Sequence, residues 1–186
     1  MGTLKNTIKD DLFRYVGAED FRNFCKTYFL VPGFRYTFWL RIASFMRKKG
    51  LFFYLIPRLR VRHYSYKFGY DIPPETMIGN GLYIGHFGGV VITSKAIIGK
   101  NCNISQNVTI GFSSRGKKRG YPMIKDNVYI GPGAVILGNI IIGNNVAIGA
   151  NAVVLDNVPD NSVVVGVPAK VVSDKGSEGY ILNKIK

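Results

Sequence analysis

From residue 72 onward an isoleucine or valine returns at every sixth position, and few folds tolerate that rhythm. The anchors are Ile72, Ile78 and Ile84; then Ile92, Ile98, Ile104 and Ile110; then Ile124, Ile130, Ile136, Ile142, Ile148 and Val154. Glycine follows the anchor in Ile78-Gly79, Ile84-Gly85, Ile98-Gly99, Ile110-Gly111, Ile130-Gly131, Ile142-Gly143 and Ile148-Gly149. Four positions after an anchor stands a small or medium side chain, such as Thr76, Ala96, Cys102, Val108, Val128, Ala134, Val146 or Ala152. Asparagine fills many of the remaining positions. A six-residue unit supplies one short strand and one sharp corner. Three units close a triangular coil, and the thirteen anchors amount to about four coils of a parallel β-helix. The corners require left-handed backbone, which Gly and Asn tolerate best. Cys102 falls in an inward slot and reads as core rather than nucleophile.

The repeat is interrupted twice. Two extra residues lie between Ile84 and Ile92, around His86-Phe87-Gly88-Gly89. Eight lie between Ile110 and Ile124, and most are polar or basic. Residues 3–66 have a different texture. Leu4, Ile8, Leu12 and Tyr15 fall at helical spacing, as do Phe34, Phe38, Ile42, Phe45 and Met46. Pro32-Gly33 and Gly50 punctuate these segments, and Pro57 is expected to break or start a helix. The expected organisation is an N-terminal helical, basic and aromatic segment (1–69), a β-helix domain (70–172) with a loop at 112–123, and a C-terminal tail (173–186). The helices are expected to cap the open end of the β-helix, where strand edges would otherwise be unpaired.

Charge is the compositional outlier, with 25 Lys and Arg against 11 Asp and Glu. Residues 1–70 hold 14 basic and 4 acidic residues, which gives +10. Nucleic acid, an anionic glycan, a membrane surface or a polyphosphate cofactor would each suit that charge. No helix-turn-helix, zinc or aromatic-sheet signature supports nucleic acid. Cys25 and Cys102 have no metal-ligand spacing, so no metal and no disulfide framework are expected. Neither a signal peptide nor a membrane span is evident, and the default location is the cytoplasm.

The stretch Asp71-Ile-Pro-Pro-Glu-Thr-Met-Ile-Gly-Asn-Gly-Leu-Tyr-Ile-Gly-His86-Phe-Gly-Gly-Val-Val-Ile resembles the start of the β-helix in serine acetyltransferases. Asn107-Val-Thr-Ile-Gly111 and Gly166-Val-Pro-Ala-Lys170 extend the resemblance over about residues 69–172. The resemblance implies a mainly-β chain, a left-handed parallel β-helix of hexapeptide repeats with an N-terminal α-helical segment. It also implies a homotrimer with active sites in grooves between subunits, and acetyl-CoA as donor. The chain departs from that family in two places. Gly85 replaces the Asp that precedes the catalytic His, and Gly120-Tyr121-Pro122 replaces an Arg-His-Pro motif whose His helps hold the amino-acid substrate. On those departures the chain is expected to resemble capsule and O-antigen acetyltransferases, with a saccharide hydroxyl as acceptor. The alternative is serine O-acetylation in cysteine synthesis. A reading of another class is a non-catalytic basic β-helix scaffold or a membrane- or nucleic-acid-binding module.

Acetyl transfer to an alcohol needs a base, oxyanion donors and alignment of the two substrates. His86, at the disturbed corner, is the expected general base. Asp71 lies 15 residues earlier, close to one coil, where its carboxylate would fix the imidazole tautomer; the resemblance implies the same pairing. By resemblance, the small residues Gly111, Gly131 and Ala150 would let pantetheine lie along the coil, and Lys170 would meet a CoA phosphate. Arg119 and its basic neighbours at 115–118 are expected to contact CoA or an anionic acceptor. Tyr121 is expected to stack on a sugar face. His63 is expected to be structural or acceptor-facing. The N-terminal basic segment suggests peripheral membrane contact at the inner face of the membrane.

Overall fold

A computed structural model describes residues 3–186; residues 1 and 2, at the head of the expected helical segment, lie outside the described residues. Four helices come first: α1 (Leu4–Val16), α2 (Phe21–Leu30), α3 (Pro32–Arg47) and α4 (Leu51–Phe68). The side chains of Thr3 and Asp20 cap α1 and α2 by accepting the amides of Asn6 and Asn23, while Gly17 and Gly69 end α1 and α4 in left-handed conformation. Pro57 neither breaks nor starts a helix. It lies inside α4, buried on the stripe Tyr54, Pro57, Val61 and Phe68. A mid-helix proline costs about 3 kcal/mol, and here the ring packs within the buried stripe.

Short strands then wind round three faces. One face stacks β1 (Tyr70–Asp71), β4 (Val90–Ile92), β7 (Thr109–Gly111), β10 (Val135–Leu137) and β13 (Val153–Val154). The second stacks β2 (Met77–Ile78), β5 (Ile97–Ile98), β8 (Met123–Ile124) and β11 (Ile141–Ile142). The third stacks β3 (Tyr83–Ile84), β6 (Asn103–Ile104), β9 (Tyr129–Ile130), β12 (Ala147–Ile148) and β14 (Val163–Gly166), closed by the antiparallel β15 (Ala169–Ser173). All other pairings are parallel, and each anchor sits over its equivalent: Ile84 over Ile104 over Ile130 over Ile148. Twelve of the anchors are at most 2% exposed, and Ile78 packs half-buried against the same core. Cys102 is wholly buried, and burial pushes its thiol up to about 12.

The corners divide their labour in a way the repeat alone did not disclose. Left-handed backbone falls mainly on asparagine, with φ of 54–59° at Asn101, Asn107, Asn127, Asn145, Asn151 and Asn161. The glycine after the anchor serves close approach instead. A Cβ on Gly79 would lie 2.6 Å from the carbonyl carbon of Gly99, and one on Gly99 would lie 2.6 Å from that of Lys125. Any side chain there would push adjacent coils apart.

The helices do cap the first coil, through specific polar contacts. The Tyr36 hydroxyl donates to the Ile72 carbonyl and accepts from its amide. Tyr15 does the same for Ile84. Arg41 donates to the carbonyls of Ile78 and Gly79, and Asp11 accepts the amides of Gly81 and Leu82. Asp11 and Arg41 form a buried ion pair with N···O 2.8 Å. Edge groups that would otherwise be unpaired are thereby satisfied. At the far end the tail turns back along the third face. Ser177 and Ile185 bond to Asn145, Asn127 and Asn101, and Tyr180 stacks on Tyr129 with ring centroids 4.5 Å apart.

Candidate active site

The two extra residues before β4 produce the turn Gly85–Gly89, which stands out from the prism edge between the third and first faces. Its backbone is fixed from below. The Gly88 amide donates to the Phe68 carbonyl, the Val90 amide donates to the Gly69 carbonyl, and the buried Tyr70 hydroxyl donates to the His86 carbonyl at 3.1 Å. Gly69, Gly88 and Gly89 are left-handed, and Gly69 packs against the backbone of the other two. His86 is exposed, and its imidazole forms no hydrogen bond among the described residues.

His86 borders a cavity of about 380 Å³ on the third face. The floor is Tyr83, Asn103 and Tyr129; the walls include Arg14 and Tyr15 of α1 and Tyr180 of the returning tail. Arg14 is 3% exposed; its Nε donates to the Gly81 carbonyl and its Nη2 to Asn103 Oδ1. Burial pushes its guanidinium below the ordinary value, because a low-dielectric setting disfavours charge. Gln106 also lines the cavity, and its Oε1 is the one buried side-chain oxygen among the described residues with no donor.

The expected site residues sort onto two edges of the prism. His86, Gly131 and Ala150 follow β3, β9 and β12, so they share the edge between the third and first faces. Lys170 pairs with Val165 in the β14–β15 hairpin, at the end of the same edge. Gly111, Arg119 and Tyr121 lie on the next edge, between the first and second faces. Within one chain the two sets do not meet. No hydrogen bond or ion pair joins Asp71 to His86. Asp71 is exposed beside Tyr54 and Arg58 in a separate depression, although its neighbour Tyr70 holds the His86 carbonyl. Tyr121 has its ring 4.8 Å from that of Phe112 and beneath the Lys95 ammonium, so its faces are already taken. Arg119 is exposed, while its neighbour Lys118 binds Leu155 and Asp156 and pins the loop. His63 is exposed on α4, away from the cavity. Arg14, Gln106 and Tyr180 were not among the expected site residues. A lone arginine within the buried stripe of α1 was the available signal; nothing in the sequence placed the tail across the third face.

Among the described residues no cluster of His, Cys, Asp and Glu could hold a metal ion, and no helix is long and apolar enough to cross a membrane.

Comparison with known proteins agrees with this architecture. Residues 121–156 match the bacterial transferase hexapeptide family (six repeats). A serine acetyltransferase of Synechococcus elongatus is 39% identical over 166 residues, covering 88% of this chain and 67% of that protein. One from Buchnera aphidicola is 41% identical over 140 residues, covering 75% of this chain and 49% of the relative. Among solved structures, the serine complex of Neisseria gonorrhoeae serine acetyltransferase superposes with a TM-score of 0.75 at 34% identity, covering 91% of this chain and 69% of that one. A serine acetyltransferase in complex with CoA gives 0.74 at 30% identity, with 91% and 69% covered. The left-handed β-helix with N-terminal helices is the fold of these neighbours. They overturn the expected saccharide acceptor. That expectation rested on local departures at Gly85 and Gly120-Tyr121, whereas the similarity runs through the helices and the coils to proteins that act as serine acetyltransferases.

Proposed function

The chain belongs to the serine acetyltransferase family of hexapeptide transferases, and on that premise we propose that it moves acetyl from acetyl-CoA to the hydroxyl of serine. The observation that carries this reading is the exposed His86 imidazole, held at the Gly85–Gly89 turn over a cavity on the third face. The serine oxygen attacks the thioester carbonyl carbon, and its proton passes to the imidazole as the C–O bond forms. The C–S bond then breaks, and the imidazolium returns the proton to the departing CoA sulfur. Base catalysis of this kind is worth about 10²–10⁴ in rate. Asp71 is assigned to orient the imidazole, its backbone being one residue from the tyrosine that holds His86. The pantetheine arm is assigned to the edge past Gly131 and Ala150, whose small size leaves the coil accessible. Lys170, on β15 and so five strand spacings or about 24 Å from the β3 level of His86, is assigned to a CoA phosphate. Gly111, Arg119 and Tyr121 are assigned to the site of a neighbouring copy in a trimer, because they occupy the next edge. The test is thiol release from acetyl-CoA with serine as acceptor. His86→Ala is expected to lose at least about 100-fold in kcat with unchanged thermal melting. Absence of serine-dependent thiol release in the wild type, or wild-type activity in the variant, would overturn the assignment.

The cytoplasmic, membrane-contacting location is proposed on a separate observation. The start of α4 exposes Leu51, Phe52, Phe53, Leu55 and Ile56, each by at least 51%. From Arg22 to Lys67 there are 11 basic residues and no acidic one. Apolar side chains flanked by cations fit an anionic lipid surface, whereas a second copy would bring like charge against like charge. The full chain is expected to float with anionic phosphatidylglycerol vesicles and not with neutral phosphatidylcholine ones. Failure to float at low salt, or self-association that Phe52→Ser abolishes, would overturn it.

A further inference from the structure

The inward ladder of the first face has one member out of keeping with the rest. Two positions before the anchor, successive coils carry Val90, Val108, Ala134 and Ala152, all wholly buried, whereas the first coil carries Tyr70 at 1% exposed. A phenol fits that slot because the prism is open at this end and the helices close round the ring. Tyr36 of α3 meets it edge-on with centroids 4.9 Å apart, and Phe68 of α4 lies at 6.1 Å. Tyr36 is itself fixed by both backbone groups of Ile72. A buried hydroxyl is costly unless it is bonded. The one hydrogen bond of the Tyr70 hydroxyl among the described residues goes to the His86 carbonyl at 3.1 Å. Burial, with a smaller contribution from Tyr36, pushes the phenol well above its ordinary range, so the hydroxyl stays a donor.

We propose that Tyr70 is a positioning residue for acetyl transfer: its hydroxyl fixes the His86 peptide group, so that the imidazole is aimed to accept the proton of the attacking hydroxyl. The inference rests on His86 as the base and makes the ring clamped by the helical cap part of the catalytic apparatus. The turn needs such a tether. Three of its five residues are glycine, and Gly88 and Gly89 are left-handed, so local sterics restrain its torsions little. Its other ties run through Gly88 and Val90, whose amides donate to Phe68 and Gly69, and through the Gly88 carbonyl, which accepts from Asn107. The Tyr70 bond is the one that reaches His86 itself among the described residues. The His86 side chain is exposed and no packing holds it, so its direction follows its own peptide plane. A catalytic group misplaced by about 1 Å can cost about 100-fold in rate.

The experiment measures kcat and KM of the full chain, with serine and acetyl-CoA, for wild type, Tyr70→Phe, His86→Ala and the double variant. Tyr70→Phe keeps the ring and removes only the donor. It is expected to lower kcat about tenfold, with KM for serine and for acetyl-CoA within about twofold of wild type. In the His86→Ala background the same change is expected to leave the residual rate unchanged, because no imidazole remains to be aimed. A purely structural defect would lower both rates alike, and any loss of folded protein cancels in the ratio of the two effects. Replacing Tyr70 with p-aminophenylalanine returns an N–H donor to the same ring and is expected to recover kcat to within about threefold of wild type. Wild-type kcat in Tyr70→Phe, equal fractional losses in the two backgrounds, or no recovery with the amino analogue overturns the positioning role alone. A wild type inactive on serine, or an undiminished rate in His86→Ala, overturns the functional reading itself.

Discussion

Replacing Asp11 with alanine tests whether the helices hold the first coil through polar capping. The Asp11 carboxylate is 1% exposed. It accepts from Arg41 Nε at 2.8 Å, Arg41 Nη2 at 3.1 Å, and the amides of Gly81 and Leu82 at 2.9 Å each. Removing it strands a guanidinium that is 8% exposed and orphans two amides at the corner before β3. Breaking a buried ion pair from one side costs about 3–5 kcal/mol, and each buried amide left unpaired costs about 1–3 kcal/mol. These terms overlap, because Arg41 keeps its bonds to the Ile78 and Gly79 carbonyls, so about 4 kcal/mol is the working figure. A chain of 186 residues unfolds with an entropy near 0.4 kcal/mol/K, which converts that loss into a Tm lower by about 10 °C. Scanning calorimetry reads the shift. In Asp11→Ala/Arg41→Ala the loss should be smaller than the sum of the single losses, because the second change removes the stranded cation. A shift under about 2 °C in Asp11→Ala would refute the reasoning, since it would mean that water or local repacking satisfies the coil edge equally well.

Further outcomes follow from other contacts. Gly99→Ala should cost about 1–3 kcal/mol and lower Tm by several degrees, because its Cβ meets the Lys125 backbone, which cannot swing away as the neighbouring Asp126 side chain can. Iodoacetamide at pH 8 should modify half-buried Cys25 in the folded chain and spare Cys102 until urea unfolds it. With the Cys102 thiol pushed up to about 12 by burial, folding favours the protonated form. Its contribution is complete below the unfolded thiol range near pH 8.5–9 and is lost as pH rises toward about 12; Cys102→Ala should therefore show a smaller fall of Tm between pH 8 and 11. Lys170→Ala should raise KM for acetyl-CoA about 3- to 30-fold with little change in kcat, and an unchanged KM would remove the phosphate assignment.

The sequence alone settled the coil. Twelve of its thirteen apolar anchors are buried, because a side chain returning every sixth residue can stay inside only if the backbone turns a corner each time. It also marked His86, since an insertion of two residues in a regular ladder must bulge outward. The acceptor was misjudged from a few substituted motif positions, which report on contacts and not on the whole shape of a pocket. Tertiary structure alone decided which residues meet at the cavity. Arg14 and Tyr180 are 166 positions apart in a chain of 186, and both reach Asn103 only because α1 caps the first coil while the tail runs back down the third face. No local periodicity encodes that return. It follows from burying Ile181 and stacking Tyr180 on Tyr129, contacts that exist only once the prism has formed.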